Sequence, residues 1–580
     1  MRDGIRLDTT VYMPSRSAGR VPTVLIRTPY RSELNNRPTL FQRLLSEGYA
    51  VVMQHERGRY LSEGKVAMLS YAAPDGWDTL DWIAAQPWSD GKVATFGCSS
   101  SAENQLKLAA LNHQAHKAMI AYSAGVGVAE AGPFREQGNF WRGGVWQQGW
   151  FDYFVEETQK DWPQLPAGLT DDERQRAAAD FSVNDPGEGA RPDDFYDKVR
   201  MHLPMMEMAK AAGAPRTDFE EYLARGPASS PAWTGDRVTN ADRIRVPGLW
   251  AEALYDISAR STVAFFDKTR AENPAGQQAI LITNGRHCRF DGGNANQLIG
   301  QRPLGDTRFD AEGRLMAWLN RWLKGDTSAP VPAHPFTVFM AGVNRWVDFD
   351  AIPHAGTGPS RTFYLTSGGH ANALTGDGTL VDQPASAAAV DRFLYDPANP
   401  VIAHGGEISG VGSDQKNMDG AFDQRGIEAR EDVLVYTSAP LADDLPVFGY
   451  IETELFVSSD APDTDFTVKV VDVAPDGTAW NISDSIQRMR YRDGEDHAVF
   501  MKPGEVYRLA PPAMLAANVF LKGHRVRLEV SSSHFPSYAR NLNTAADPYT
   551  SVETRVAANQ VVHGAGRLSK ISLPVSDVSP

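Results

Sequence analysis

Short apolar stretches with strand character alternate with helix-like segments through the first 122 residues of this chain. Residues 22–27 and 49–54 are apolar runs of the kind found in strands that are covered on both faces. Residues 40–45 and 75–86 instead repeat their apolar side chains at helical spacing. Because parallel strands must be joined by crossover segments, this alternation predicts a parallel sheet built from βαβ units.

The alternation stops near residue 123 and resumes at 246–250 and 279–283. Between these points the chain is first rich in aromatic residues, over 140–154, and then reads as helices joined by polar loops. An insertion into one α/β domain explains this order, so we predict a helical cap. The predicted ranges are 1–122 and 236–325 for the two halves of the α/β domain and 123–235 for the cap.

Beyond the proline-rich residues 330–335, helical periodicity nearly vanishes. Short β-prone runs such as 336–340, 433–436 and 466–471 are separated there by clusters of Gly, Pro, Asp and Asn. Several short strands with frequent turn signals are typical of an all-β sandwich. We therefore predict a sandwich domain over 326–580.

Composition narrows the classes of function. A chain of 580 residues is too long for one hydrophobic core, and its 42% apolar residues are enough for several. Its formal charge of −15 argues against nucleic acid or an anionic membrane as a partner. There is no apolar run of roughly 18 residues, so no transmembrane helix is expected. The start of the chain does not read as a signal peptide and two cysteines cannot form a disulfide scaffold, so a cytoplasmic protein is expected.

The segment 92–102 has the strand–turn–helix pattern of a nucleophile elbow. A β-prone run ends at Gly97, Ser99 follows two residues later, and a helix-compatible segment begins at Ala102. Tight packing around such a turn favours small neighbours, and Ser101 meets this condition although the usual pattern has glycine there. On its own, a glycine and a serine after a strand are also compatible with an ordinary turn.

A serine nucleophile needs a base, which a third group must orient. In enzymes with this elbow the partners follow in chain order, an acid and then a histidine, each after a strand. Asp256 and His287 follow the two apolar runs beyond the predicted cap. His287 is the one histidine of thirteen that combines this order with a strand-end loop. Ser99, Asp256 and His287 are therefore the predicted catalytic triad.

Further motifs make the chain recognisable. They are Arg57-Gly58, Gly76-Trp77-Asp78-Thr79, Tyr255-Asp256 and Arg321-Trp322-Leu323-Lys324-Gly325 in the first part, and Tyr395-Asp396-Pro397, Asp463-Thr464-Asp465-Phe466 and Asn541-Leu542-Asn543-Thr544 in the second. Together they resemble the family of cocaine esterase and the X-prolyl dipeptidyl-peptidases, over nearly the whole chain. The resemblance implies an α/β-hydrolase domain with an inserted helical cap, followed by a C-terminal all-β jelly-roll sandwich.

The same resemblance implies the chemistry of the site. Ser99 would be the nucleophile and Asp256 and His287 would complete the triad. The Tyr30 hydroxyl and the Ser100 backbone amide would form the oxyanion hole. The expected reaction is two-step acyl transfer, which needs no metal and no organic cofactor. The histidines also show no metal-binding spacing such as H-E-x-x-H.

Two departures from the family pattern bear on the substrate. Ser100 and Ala102 stand where the family usually has tyrosine and glycine, which should widen or rehydrate the pocket beside the nucleophile. The loop 257–259 lacks the acidic residues with which related α-amino-acid ester hydrolases hold an ammonium group, and this counts against a free-amine substrate. Glu103 and Glu252 could supply a negative charge instead, but we interpret them as solvated or structural.

The walls of the pocket are predicted from the cap and from the loop after Asp256. Trp146 and Trp150, at helical spacing, are the predicted aromatic wall facing Ser99, although such a stripe is also typical of a core. Ser258, two residues beyond Asp256, is expected to border the pocket.

Cys98 and Cys288 each adjoin a triad residue. We interpret them as small apolar side chains packed beneath the elbow and the histidine loop, and a disulfide or redox-sensitive site is the alternative. Cys98 stands one residue too early in the turn to be the nucleophile.

These observations predict a serine hydrolase that cleaves esters or amides of small acyl substrates. X-prolyl dipeptidyl-peptidase activity, or acylase activity on β-lactam-type side chains, is the alternative within enzymes. A carbohydrate- or surface-binding protein that uses the jelly roll is the alternative outside them. The expected partner is a small-molecule ester or amide, with no nucleic acid and no membrane. A homo-oligomer stays open, because the sequence reports no interface.

Overall fold

A mixed sheet of nine strands organises the first 350 residues of the computed structural model. The structure describes residues 1–15, 19–30, 37–65, 68–135, 137–159, 169–176, 199–213, 218–290, 292–354, 358–407 and 419–578. The strands of the first part are β1 (Thr9–Tyr12), β2 (Val21–Thr28), β3 (Ala50–His55), β4 (Ser89–Cys98), β5 (His116–Tyr122), β6 (Glu130–Ala131), β7 (Phe134–Arg135), β8 (Trp141–Arg142), β9 (Val145–Trp146), β10 (Gly248–Ala253), β11 (Gln278–Thr283), β12 (Gln297–Ile299), β13 (Arg302–Gly305), β14 (Phe336–Met340) and β15 (Arg345–Phe349). The α-helices are α1 (Pro38–Ser46), α2 (Ala72–Ala84), α3 (Ser100–Ala110), α4 (Trp150–Gln159), α5 (Met208–Ala211), α6 (Phe219–Arg225), α7 (Pro231–Thr234), α8 (Ala259–Ala271), α9 (Ala311–Leu319) and α10 (Arg425–Glu428).

The order of strands in this sheet is β1-β3-β2-β4-β5-β10-β11-β14-β15. Neighbouring strands from β3 to β14 are parallel, whereas the edge strands β1 and β15 are antiparallel to their neighbours. The loops that follow β4, β10 and β11 therefore all start at the carboxyl ends of parallel strands. Open α/β sheets bind ligands beyond these strand ends.

Helices cover both faces of the sheet, which explains why its strands read as continuous apolar runs. All six residues of β3 are buried. The side chains of α1 and α9 pack on one face, and those of α2, α3 and α8 pack on the other. Local sequence supports the helix starts. Pro38 occupies the first turn of α1, and the Asp310 carboxylate accepts the N–H of Gly313 at 2.8 Å ahead of α9.

The insertion between β5 and β10 is rich in buried aromatic side chains. Its described part contains the hairpins β6–β7 and β8–β9 and the helices α4 to α7. Residues 160–168, 177–198 and 214–217 of the predicted cap lie outside the described residues. The predicted domain boundaries stay a prediction.

A second, all-β system follows. Its strands are β16 (Ser360–Thr366), β17 (Thr379–Val381), β18 (Ala389–Tyr395), β19 (Leu434–Ser438), β20 (Leu445–Ser459), β21 (Asp465–Val473), β22 (Ala479–Arg488), β23 (Tyr507–Leu509), β24 (Met514–Phe520), β25 (Arg525–Ser531), β26 (Ala557–His563) and β27 (Lys570–Pro574). These twelve strands are hydrogen-bonded into one system around a separate apolar core. The predicted fold class, an α/β domain followed by an all-β domain, is confirmed.

Two strands beyond the proline-rich linker complete the first sheet. β14 pairs in parallel with β11, and β15 pairs antiparallel with β14. The prediction that residues 336–340 form a sandwich strand is wrong, because a short apolar run looks the same in either sheet. None of the described helices has the length and apolar character needed to cross a membrane. Cytoplasmic location stays a prediction, and the oligomeric state stays open.

Candidate active site

The proposed nucleophile turn lies at the end of β4, in the middle of the sheet. Ser99 follows the last residue of β4 and has backbone angles of φ +57° and ψ −135°, a conformation that residues with a Cβ atom rarely adopt. Its N–H donates to the carbonyl of Tyr122 in β5 at 3.0 Å, and α3 begins at the next residue. This strained strand–turn–helix geometry is that of a nucleophile elbow.

The packing of this turn requires Gly97. A Cβ atom at this position would lie 2.5 Å from both the Cβ and the carbonyl oxygen of Ser101. Ser101 itself is fully buried, and its hydroxyl donates to Thr28 Oγ1 at 2.9 Å. The small residues around Ser99 therefore let the first turn of α3 lie directly on β4.

Asp256 and His287 lie in the loops after β10 and β11, at the same carboxyl ends of the parallel strands as Ser99. His287 Nδ1 and Asp256 Oδ2 are 2.7 Å apart. Asp256 is fully buried, and its other oxygen accepts the N–H of Ser258 at 2.9 Å. A carboxylate in this position fixes the tautomer and orientation of the imidazole, which leaves Nε2 for proton transfer.

Burial and the charge of the partner shift the pKa values of Asp256 and His287 in opposite directions. Burial would raise the pKa of Asp256, but the adjacent His287 lowers it to about 2. Burial would likewise lower the pKa of His287, but the Asp256 carboxylate holds it above its ordinary value. His287 therefore has the raised basicity that suits a general base.

Two hydrogen-bond donors lie beside the Ser99 hydroxyl. The Tyr30 hydroxyl donates to Ser99 Oγ at 3.2 Å. Ser100 is the first residue of α3, so its N–H has no acceptor within the helix. The predicted oxyanion donors are thus adjacent to the nucleophile, and their catalytic role stays a prediction.

Ser99 and His287, both within the described chain, do not hydrogen-bond each other in this structure. The side-chain partner of Ser99 among the described residues is Tyr30. Catalytic hydrogen bonds of this kind are often long or poorly aligned when no substrate is bound. The proximity of the two loops follows from their neighbours, Cys98 and Cys288.

Cys98 and Cys288 form a disulfide bond, with their Cα atoms 5.8 Å apart. Our interpretation of the two residues as separate apolar filler is therefore wrong, and the alternative of a disulfide is correct. The physical reason is that any fold that brings Ser99 to His287 also brings their chain neighbours together. The position of each cysteine beside a predicted triad residue was the signal in the sequence.

A second carboxyl group, that of Glu252, lies behind Asp256. Glu252, in β10, is fully buried and accepts the N–H of Ala253 at 2.8 Å and the hydroxyl of Ser258 at 3.1 Å. Burial first, and then the charge of Asp256, raise the pKa of Glu252 well above its ordinary value. Glu252 is therefore a buried structural carboxyl and not a solvated one.

Ser258 is only 1% exposed, and it bonds to both of these carboxyl groups. Ser258 therefore holds Asp256 in place from the interior and does not line an open substrate pocket. The predicted contact between Ser258 and substrate gains no support from this geometry.

Trp146 and Trp150 belong to the aromatic cluster of the insertion. Trp146 is fully buried in β9 and stacks on Phe140 with ring centroids 5.5 Å apart. Trp150 opens α4, and its indole N–H donates to the carbonyl of Asn139 at 2.7 Å. The two residues do not share a helix, and Trp146 has no exposed surface with which to face a pocket. Both rings pack in the aromatic core of the insertion, so the predicted wall facing Ser99 gains no support from this geometry.

Two more acids lie close enough to affect His287 electrostatically. Glu103, in the first turn of α3, is 4% exposed, and burial raises its pKa to about 8. Asp419, from the all-β part, is 2% exposed, and burial raises its pKa to about 8. None of the described residues hydrogen-bonds Asp419 Oδ1. Asp419 was missed because no motif connects it to the triad along the chain.

Comparison with protein families gives two matches that together span most of the chain. Residues 3–289 match the family described as X-Pro dipeptidyl-peptidase (S15 family). Residues 327–572 match the X-Pro dipeptidyl-peptidase C-terminal non-catalytic domain.

Individual proteins are similar over nearly their full length. The cocaine esterase of Rhodococcus sp. (strain MB1 Bresler) is 32% identical over 99% of this chain and 97% of that protein. An aminopeptidase from a marine sediment archaeon, Thaumarchaeota archaeon, has a TM-score of 0.80 at 23% identity over 100% of this chain and 95% of its own. An α-amino acid ester hydrolase also has a TM-score of 0.80, at 24% identity, over 99% of this chain and 95% of its own. The two structures show a shared fold.

Proposed function

The chain belongs to the family of cocaine esterase and the X-Pro dipeptidyl-peptidases and is a hydrolase, and from this premise we propose that it is a serine hydrolase of small acyl substrates. Ser99 is the nucleophile, His287 the general base and Asp256 the group that orients the base. The substrates are esters or amides, and the 32% identity to a protein named cocaine esterase favours esters.

The observation that carries the proposal is the pairing of Asp256 with His287 at the carboxyl ends of the parallel strands. Ser99 lies on a strained turn at the same ends. The 2.7 Å contact uses Nδ1 of the imidazole and so reserves Nε2 for the serine proton. The φ of +57° at Ser99 supports the same assignment, because strained backbone conformations concentrate at catalytic positions.

The proposed reaction has two steps. In the first, His287 takes the Ser99 proton while Ser99 Oγ attacks the substrate carbonyl carbon, and the imidazolium then gives that proton to the leaving alcohol or amine. In the second, His287 takes a proton from water, the resulting oxygen attacks the acyl carbon, and Ser99 leaves with the proton returned by His287. Asp256 stabilises the imidazolium in both steps.

Negative charge develops on the carbonyl oxygen in each tetrahedral intermediate. The Tyr30 hydroxyl and the Ser100 N–H are the proposed donors to it. Tyr30 donates to Ser99 Oγ in the resting site at 3.2 Å, so it needs only a small shift to reach an oxygen on the attacked carbon. One donor of this kind is worth about 3–4 kcal/mol in the transition state.

One observation favours a second substrate class, esters of amino acids with a free amine. Asp419 is a buried acid whose pKa is raised to about 8, and its Oδ1 oxygen has no hydrogen-bond partner within the described chain. A substrate ammonium group would supply that partner and restore the charged carboxylate. This argument offsets the lack of acidic residues in the loop 257–259.

A fluorophosphonate probe tests the nucleophile directly. We expect one label per chain, mapped by mass spectrometry to Ser99, and loss of both labelling and nitrophenyl-ester hydrolysis in Ser99→Ala. The matched control is Ser101→Ala, which keeps the nucleophile and removes only the hydrogen bond to Thr28. Labelling that persists in folded Ser99→Ala would contradict the assignment.

A further inference from the structure

The disulfide between Cys98 and Cys288 joins the turn of the proposed nucleophile to the loop of the proposed base. We propose that this bond is a positioning element of the active site: it holds the histidine loop on the nucleophile turn, and hydrolysis depends on the bond being oxidised. The inference rests on the proposed function, because it assigns the bond a role in the chemistry between Ser99 and His287.

The topology of the sheet explains why the histidine loop needs such a tie. β5 and β10 lie between β4 and β11, so the ends of β4 and β11 are three strand spacings, or about 14 Å, apart. The loop after β11 must fold back across two strand ends to bring His287 towards Ser99. The Cα atoms of Cys98 and Cys288 are only 5.8 Å apart, so the disulfide closes this span.

Apart from the 2.7 Å contact between His287 Nδ1 and Asp256 Oδ2, the other contacts of the loop are weaker or lie farther from the imidazole. The N–H of Cys288 donates to Ser123 Oγ at 3.4 Å, and Arg37 Nη2 donates to the carbonyl of Cys288 at 3.5 Å, both near the outer limit of hydrogen bonding. Phe290 is buried and packs on Tyr122 with ring centroids 5.2 Å apart. These contacts keep the loop near the sheet, whereas the disulfide joins it to the turn itself.

The backbone on both sides of the bond supports a positioning role. Cys288 has φ +59°, in the left-handed region that residues with a Cβ atom seldom occupy. Ser99, next to Cys98, is also at positive φ. Strained conformations persist only where the surrounding structure constrains them, and a covalent bond between the two segments is such a constraint.

Cys288 is partly exposed, so we expect a dithiol to reach the bond. The thiolate of dithiothreitol attacks one cysteine sulfur and forms a mixed disulfide, and its second thiol then closes the reagent into a cyclic disulfide. The reagent supplies two electrons, and the protein is left with two thiols. His287 then keeps Asp256 but loses its link to Ser99, and a misplacement of about 1 Å between reacting groups can cost about 100-fold in rate.

The test compares oxidised and reduced full-length protein. The chain has two cysteines, so a thiol assay on denatured protein should count none before reduction and two after it. We expect kcat for a nitrophenyl ester to fall by about 10- to 100-fold on reduction, with KM little changed and circular dichroism retained. Fluorophosphonate labelling of Ser99 should slow by the same factor, and reoxidation should restore both rates.

The double variant Cys98→Ala with Cys288→Ala is the second arm. It should have the low rate of the reduced enzyme and no response to dithiothreitol. A bond with a merely structural role would lower the melting temperature and leave kcat at 25 °C unchanged, and that result overturns the proposal. So would a purified protein with two free thiols and full activity.

Two precautions keep the outcome decisive. If the double variant does not fold, reduced wild-type protein, followed by circular dichroism during the assay, decides the question. If oxidised wild-type protein shows no labelling or turnover that depends on Ser99, the proposed function fails first and this inference falls with it. Activity that is equal in both redox states removes this inference alone.

Discussion

The hydroxyl of Tyr30 donates a hydrogen bond to the hydroxyl of Ser99 at 3.2 Å, across 69 positions of the chain. Tyr30 lies two residues beyond the end of β2, and Ser99 lies directly beyond the end of β4, which is its neighbour in the sheet. The contact therefore follows from parallel pairing, which brings the two strand ends together. It places a phenol directly beside the proposed nucleophile.

Replacing Tyr30 by phenylalanine should remove one oxyanion donor and keep the ring. We expect kcat for nitrophenyl esters to fall about 100- to 1,000-fold, with a small change in KM, because the donor acts mainly in the transition state. Tyr364→Phe, in β16 of the all-β part, is the matched control. A Tyr30→Phe enzyme within about threefold of wild type would exclude the phenol from the oxyanion hole.

The activity should rise with pH through a midpoint above 6.5, because the base must be neutral and Asp256 holds the pKa of His287 above its ordinary value against the effect of burial. In Asp256→Asn the burial remains and the negative charge is gone, so the midpoint should move to lower pH while kcat falls about 10⁴-fold. Profiles of kcat/KM between pH 5 and 9 measure both effects. An unchanged midpoint in Asp256→Asn would contradict the ion pair.

Much of the fold could be predicted from the sequence, because its signals are local. The alternation of apolar runs and helical spacing before residue 123 indicated the parallel sheet, and β3 is buried throughout as its apolar run requires. The membership of β14 in the first sheet could not be predicted. Strand partners depend on contacts between residues far apart in sequence, and a short apolar run does not indicate which sheet it will join.

The residues of the candidate site also fall into those that local sequence signals identify and those that they do not. Ser99, Asp256 and His287 could be named because chain order and strand ends constrain them, and the structure brings the last two within 2.7 Å. The positions of Trp146 and Asp419 depend on how the insertion and the all-β part fold onto the sheet, which no local pattern specifies. The approach of Asp419 to His287 was therefore beyond sequence reasoning, and the sequence could not decide between a core position and a pocket wall for Trp146.

Glu252→Gln should stabilise the protein increasingly as pH rises. Burial and the charge of Asp256 raise the pKa of Glu252 in the folded state, so folding favours its neutral form. The stabilisation from that neutral form is complete below the unfolded pKa of about 4.5 and is lost as pH rises towards the folded pKa. Glutamine does not titrate, so the variant should gain up to about 1.4 kcal/mol per pH unit within that window relative to wild type.

Denaturant unfolding at pH 4.5, 6, 7 and 8 measures this gain. Glu553→Gln, at an exposed position, is the control for removing one surface carboxylate. A difference between Glu252→Gln and wild type that stays constant over this range would mean that Glu252 is not held neutral by the fold.

Asp419→Asn should change the preference between charged and neutral substrates. If Asp419 pairs with a substrate ammonium group, the ratio of kcat/KM for an alanine nitrophenyl ester to that for its N-acetyl counterpart should fall at least tenfold, since a charge-assisted hydrogen bond is worth about 1.5–3 kcal/mol. The acetyl group removes the charge of the amine but also adds bulk, so the ratio is compared between Asp419→Asn and wild type, in which that added bulk is the same. An unchanged ratio would exclude Asp419 as the partner of a substrate ammonium group.

Gly97→Ala tests whether the elbow depends on close packing between β4 and α3. The added methyl group would lie 2.5 Å from the Cβ and carbonyl oxygen of Ser101, and the carbonyl belongs to the backbone of α3, which cannot rotate away. The start of α3 must therefore shift. It contains the Ser100 amide and follows directly after Ser99, so both groups would move with it. We expect a loss of about 1–3 kcal/mol in unfolding free energy and a fall in kcat of about 100-fold. Gly426→Ala, in α10 with open space around the new Cβ, should keep both values near wild type. Full activity in Gly97→Ala would mean that the turn tolerates this shift and that its strained geometry is not what activates Ser99.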